Sequence, residues 1–595
     1  MKKYIFFILI PIILASTSCS DFLDHDLYTP STDGFFKSEA AIKDGVTGVY
    51  QCLYLDHYNF GYRVSNFIVL DKFTALSLER DLDTTIGAGP GLTAKHAYVL
   101  KWWQTWYQLI ARANTVLYGY SKDYSGEPTS NIKQYLAEAR VLRALGYYYL
   151  IMTYGDVPFF DKPVTAKEFN VNRTPKETIM EFILEEMDQV APDLQWTASE
   201  RGRIDKSVAY GLKARAALFA GSMNYDSKGE HYFEVAADAA YQVIGKRRLA
   251  EKFDDLFITT GQQKGDVRSE LLLELMFSTE GNQRTTYHGF AQVSRFYGQT
   301  TSHPSLLLSD TYECIDGKRI DESNLYDPKV PQKNRDPRFR STFWMHGDTV
   351  TGNTTGLPSG RIKFILNAYD KTTEQFDYKE GKWYETTNLD IDSNDAWTSF
   401  AKRGCGLIWK KFSADTIEAI GNSTVHFPVM RYAEILLTYA EAKIELNKMN
   451  DDGGLTYKCI NELRNRSGMP DISADRIGNQ NKMRQLVRRE RKVELIQEGL
   501  HFADMRRWGI GDIENDSPSY GIPINGYNSL STNDIPTFKK TERHDLNDIA
   551  SYDAYKSKLA VRDESRRWEA KYALWPIPQD ELYVAPNLGQ NDLWK

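Results

Sequence analysis

Apolar residues recur at helical spacing through most of the N-terminal half of the chain. From Trp103 one face runs Trp103, Trp106, Tyr107, Ile110, Asn114 and Leu117, with a single polar member. A turn-rich stretch, 121–130, separates it from a second face of Ile132, Tyr135, Leu136, Ala139, Leu142, Gly146, Tyr149 and Leu150. That face stops at Gly155, before Asp156-Val157-Pro158. A third pattern follows Arg173-Thr174-Pro175 and continues to Val190. The fourth, Asp205 to Gly221, is crowded with Ala209, Gly211, Ala214, Ala216, Ala217 and Ala220, small residues that let neighbouring helices approach closely. Tyr232 to Ile244 predicts one more helix. Paired amphipathic helices of this kind are similar to tetratricopeptide units, which bury their faces only by stacking.

The texture changes at Leu271. Leu271 to Phe277 predicts a short buried strand, and 278–426 is rich in Gly, Thr, Asn and Asp. Loops this long inside a folded protein usually carry function. Helical spacing returns with Val429, Tyr432, Ala433, Leu436, Leu437 and Ala440, then Ile460 and Leu463, then Leu486, Val493, Ile496 and Leu500. A second irregular stretch, 511–548, precedes the C-terminal tail. The pattern predicts a mainly α fold, with a scaffold of helix pairs and a large loop-rich insertion carrying few short strands. Its expected divisions are 1–18, 19–277, 278–426 and 427–595, with 19–595 forming one unit.

The first positions form an export signal. Lys2 and Lys3 precede an apolar run, Tyr4 to Leu14, too short to span a hydrocarbon core of ~30 Å. Ala15-Ser16-Thr17-Ser18 then lead to Cys19, the pattern of a lipoprotein whose cysteine accepts the lipid; Ser16 stands where a Leu is usual. Losing Lys2 and Lys3 with the signal takes the net charge from −7 to −9. An acidic exported chain is a poor partner for nucleic acid or anionic lipid. Cys52, Cys314, Cys405 and Cys459 are widely spaced and form no CxxC pair, so they predict free thiols rather than a zinc site or disulfide scaffold.

Tyr, Phe and Trp make up 13% of the chain, and many lie in segments of turn composition. An aromatic ring packs on the apolar C–H face of a pyranose, while polar neighbours meet its hydroxyls. Two segments combine these features. In 278–303, Tyr287, Phe290, Phe296 and Tyr297 alternate with Asn282, Gln283, Arg284, Arg295 and Gln299. Ahead of the first long helix, in a loop, Tyr98, Lys101 and Trp102 follow a Gly-rich turn at 87–91. Trp344, Trp383 and Trp397 lie in the insertion. Trp103 and Tyr107 are expected in the core. The charged block 484–507 reads as a buried ion network of Arg431, Glu434, Arg489, Glu490 and Arg506 rather than a nucleic-acid patch. HExxH, GxSxG and GxxxxGKS are absent. Asp390-Ile391-Asp392-Ser393-Asn394 begins like a calcium loop but lacks its closing Glu, so no metal or cofactor is predicted.

Several segments together resemble the SusD/RagB family. They are Arg112-Ala113-Asn114; Glu138-Ala139-Arg140-Val141-Leu142-Arg143-Ala144 running into Tyr154-Gly155-Asp156-Val157-Pro158; Asn334-Arg335-Asp336-Pro337-Arg338-Phe339; and Arg431-Tyr432-Ala433-Glu434. Arg488-Arg489-Glu490-Arg491 with Glu498-Gly499-Leu500-His501-Phe502-Ala503-Asp504-Met505-Arg506-Arg507-Trp508-Gly509 is the most distinctive, and Leu574-Trp575-Pro576-Ile577-Pro578 closes the series. The resemblance implies a non-catalytic, surface-exposed outer-membrane lipoprotein of Bacteroidetes, anchored at Cys19. Such a protein captures oligo- or polysaccharide and delivers it to a partner SusC-like TonB-dependent transporter. Expected glycan contacts are Tyr98, Trp102, Tyr287, Arg295, Phe296, Tyr297 and Trp344; the position of the loops carries over from the family, their residue identities do not. A peptide-capturing RagB-like protein and a surface glycosidase are the alternative readings.

Overall fold

The computed structural model describes residues 34–54, 66–79, 89, 91–278, 280, 302–353, 360–388, 406–412, 423–516, 518–541, 546–564 and 566–595. Cys19, Cys405, Trp397, the 390–394 loop and the candidates Tyr287, Arg295, Phe296 and Tyr297 lie outside these residues.

Ten longer helices form the scaffold: α1 Glu39–Tyr50, α2 Ala97–Asp123, α3 Ser130–Tyr154, α4 Lys176–Val190, α5 Lys206–Ser222, α6 Gly229–Val243, α7 Tyr432–Glu445, α8 Leu455–Arg466, α9 Gln480–Leu495 and α10 His501–Arg507. Their starts follow local chemistry. Thr129 caps α3 by accepting from the Ile132 amide, and Asp205 caps α5 by accepting from Ser207 and Val208. Each helix from α2 to α6 packs on the next, and α7 then packs on both α6 and α5, carrying α8 and α9 behind it. The layer therefore passes directly from the N-terminal to the C-terminal helices, and one hydrophobic core runs from Phe36 to Leu588.

The insertion leaves and re-enters this layer through one ladder, Leu271–Leu275 antiparallel to Phe427–Arg431. Val429, expected in a helix, is a strand residue here, and α7 begins at Tyr432. All five residues of 427–431 are buried, and an apolar run of that length fits either state until a partner strand is present. Gly211 shows how tightly the layer closes over this ladder: a Cβ there would lie 2.4 Å from the Met430 sulfur. Within the insertion, Phe343–Met345 pairs with Leu407–Trp409. A four-stranded antiparallel sheet, 349–353, 361–365, 372–377 and 382–387, closes a second core of Val350, Ile362, Phe364, Ile408 and Ile522. The 511–548 stretch, expected to be irregular, contributes strands Ser519–Pro523 and Thr537–Thr541 to two small ladders.

The C-terminal helices enclose a network of buried charges. Arg431 pairs with Glu270 (2.5 Å), Glu494 (3.0 Å) and Glu498 (2.8 Å). Arg338 reaches Asp336, Glu490 and Glu494, and Arg464 joins Glu490 to Glu313, which also holds Arg489. Two expected members sit elsewhere. Glu434 pairs with Arg215 of α5 at 2.6 Å. Arg506 has no carboxylate partner among the described residues; it donates to the Met152 carbonyl and lies over the Phe502 ring. Cys52, Cys314 and Cys459 are buried free thiols.

Candidate ligand-binding site

A short ladder joins two segments far apart in the chain. Ser77–Glu79 runs antiparallel to Ser302–Pro304, with Ser77 opposite Pro304 and Glu79 opposite Ser302. Glu79 and Ser302 therefore stand side by side. A polar chain holds the register from within: Ser77 Oγ and Ser302 Oγ are 3.0 Å apart, and Trp409 Nε1 donates to Ser302 Oγ at 3.2 Å. Both serines are buried, so each hydroxyl needs the other.

One turn of the C-terminal scaffold secures both sides of this ladder. Between α9 and α10, Gln497 and Gly499 adopt positive φ, and a Cβ on Gly499 would strike the Phe67 carbonyl at 2.0 Å. The Gly499 amide donates to Asp71 Oδ2 at 3.2 Å, tying down the segment that leads into Ser77. On the other side Lys411, two residues after Trp409, donates to the Ile496 carbonyl and to Glu498, each at 2.7 Å. Burial pushes the Asp71 carboxyl up to about 6, against the opposing pull of His501 and of the Gly499 amide.

Of the predicted contacts, Tyr98 and Trp102 are corrected to core positions. They are 2% and 1% exposed. Trp102 is enclosed by Phe67, Tyr98, Trp106, Tyr149 and Trp575, with centroids 5.3–6.4 Å away. Neither ring has a face to offer a sugar. The reason lies in the helix start: α2 begins at Ala97, so Tyr98, Trp102, Trp106 and Leu109 extend its inward stripe by i, i+4 and i, i+3 steps, a spacing visible in the sequence. Trp103 is buried as expected. Trp344 is half-buried against the second core, with the Lys410 ammonium 4.6 Å from its ring centroid. Ser77, Ser302 and Trp409 carry no sequence signal; only strand pairing brings them together.

A separate groove of about 440 Å³ lies between the start of α2, the 158–169 loop and the C-terminal segment 581–588. It is lined by Trp103, Tyr107, Phe160, Phe169, Val584 and Leu588 among others. Around it Phe169, Tyr583 and Val584 are 43%, 71% and 73% exposed. No described helix is long and apolar enough to cross a membrane, and no described cluster of His, Cys, Asp or Glu could hold a metal ion.

Comparison with known proteins places this architecture. A model of the SusD family matches residues 269–594, and one described as starch-binding associating with outer membrane matches 21–218. The chain belongs to the SusD family. It is 25% identical over 533 residues to SusD-like protein P2 of Formosa agariphila, covering 86% of this chain and 92% of the relative. It is 27% identical over 364 residues to the starch-binding protein SusD of Bacteroides thetaiotaomicron, covering 56% of this chain and 57% of that one. In structure it is similar to a SusD-like carbohydrate binding protein from Bacteroides fragilis, with a TM-score of 0.72 at 23% identity over 94% of this chain and 100% of that one. The resemblance in the motifs and the mainly α fold are thereby confirmed for this SusD-family chain.

Proposed function

We propose that this SusD-family chain captures a glycan at the outer face of the outer membrane and delivers it to a SusC-like TonB-dependent transporter, tethered through lipid on Cys19. The observation that carries the capture reading is the match to a family with a starch-binding member, and the 77–79/302–304 ladder marks where the ring-bearing 281–301 segment joins the scaffold. The contacts proposed are Tyr287, Arg295, Phe296 and Tyr297, with Trp344 at the margin. The ring would hold the C–H face of a pyranose and Arg295 its hydroxyls. The exposed apolar residues around the groove, Phe169, Tyr583 and Val584, supply a surface of the kind a protein partner covers, and they are assigned to the transporter. No acid pair with a glycosidase arrangement is part of this reading, so the chain binds and does not cleave.

Affinity electrophoresis of the chain lacking residues 1–19 against a polysaccharide panel tests capture. One glycan should retard it, and Tyr297→Ala should weaken that binding about tenfold, roughly one stacked ring. Retardation by no glycan, or no change in Tyr297→Ala, overturns the assignment; binding of peptides instead would favour the RagB-like alternative. Val584→Asp should leave glycan binding intact and reduce recovery of the chain with its transporter.

A further inference from the structure

The four-stranded sheet of the insertion buries one face and leaves the other with residues that a solvent-facing sheet usually avoids. Its inner face, Val350, Ile362 and Phe364, is fully committed to the second core. On the outer face Phe376 stands opposite Trp383, ring centroids 5.5 Å apart. Phe364 opposite Gln375 sets Lys363 beside Phe376, and the Lys363 ammonium lies 4.9 Å and 5.0 Å from the two ring centroids. Tyr378 continues this row, 5.1 Å from Phe376. Two residues along the same strands, and so on the same face, Glu374 stands opposite Glu385. Both are exposed, and neither carboxylate makes an ion pair or hydrogen bond among the described residues.

Like charges directly opposite on a sheet are destabilising, and a cluster of half-exposed rings leaves apolar surface in water. The core behind the sheet requires neither feature, since it uses the opposite side chains. Two local costs on one face are expected where a surface is kept for an occupant. Their chemistry narrows the class. The rings accept a C–H face, and the carboxylates, about 7 Å away along the strands, accept hydroxyl hydrogen bonds of the strong charge-assisted kind.

We infer that the outer face of this sheet is a second binding surface for a polysaccharide, sharing no residue with the loop site and engaging another stretch of the same polymer. This rests on the glycan-capture reading above. Two sites on one chain raise the apparent affinity for a long ligand and leave that for a short one unchanged.

The test compares a long polysaccharide from the retarding panel with a short oligosaccharide of the same linkage, by titration calorimetry on the full mature chain. Phe376→Ala/Trp383→Ala should weaken polysaccharide binding at least fivefold and oligosaccharide binding less than twofold, with an unchanged melting temperature confirming the fold. Glu374→Gln/Glu385→Gln should raise the melting temperature by relieving repulsion and still weaken polysaccharide binding, a split that a structural role does not give. Polysaccharide affinity within twofold of wild type in both variants overturns the second surface while leaving capture intact. A wild-type chain that binds no polysaccharide overturns capture, and this surface with it.

Discussion

Two buried clusters hold this scaffold together, and they do it with opposite chemistry. Around Trp102 the N-terminal helices and the C-terminal tail interlock rings from Phe67, Trp106, Tyr149 and Trp575. The indole N–H groups of Trp102, Trp106 and Trp575 find no acceptor among the described residues. Around Arg431 the C-terminal helices bury matched charges, with Arg431 and Arg338 each meeting three carboxylates and Arg464 two. The ring cluster relies on non-directional apolar burial and tolerates an unpaired donor. The charge cluster has no such tolerance, because one missing partner strands several ions in a low dielectric. Geometry follows from this difference. The turn at 496–499 that clamps the 77–79/302–304 ladder belongs to the charged cluster, where directional bonds set positions more narrowly than ring packing does.

The largest expected break comes from Arg431→Ala, which takes one buried partner at once from Glu270, Glu494 and Glu498. It should cost about 3–5 kcal/mol and be measurable as a lower urea midpoint; an unchanged midpoint would remove the network from the account. A pH scan comes next. Burial pushes the Glu313 carboxyl up, but Arg489, Arg464 and Arg476 more than offset it and hold it at about 2. Glu514 is held at about 2 in the same way by His501 and Lys492. Their folded values lie below the unfolded one, so this stability is present above pH 4.5 and lost as pH falls from there toward 2. Glu313→Gln should flatten that acid limb, whereas Trp102→Phe should shift the whole curve and leave its slope alone. The smallest effect belongs to Arg506→Met. Burial pulls this guanidinium down to about 10, and no carboxylate loses a partner, so the change should fall within about 1 kcal/mol of neutral in the same urea titration. A loss as large as that of Arg431→Ala would erase the distinction between matched and unmatched charges.

Much of the scaffold was legible in the chain. The faces at Ile132–Leu150 and the alanine-rich 205–221 stretch became α3 and α5 because helical periodicity survives any choice of neighbour. The charged block at 484–507 became a buried network because Leu486 and Val493 on the same helix force Arg489 and Glu490 inward. Boundaries are less legible: the Gly-rich turn at 87–91 masks that Tyr98 and Trp102 already continue the helix stripe, and the apolar run at Val429 precedes a helix that starts three residues later.

By itself the sequence determined the helix pairs and the family motifs, since each is written in residues adjacent along the chain or a fixed helical step apart. Tertiary structure alone decided which Arg meets which Glu, as with Glu434 and Arg215. It alone joined Ser77 to Ser302 across the ladder that carries the two loops, and it placed Glu374 opposite Glu385. Strand register and side-chain pairing depend on segments far apart in the chain meeting in one orientation, and no local spacing records that meeting.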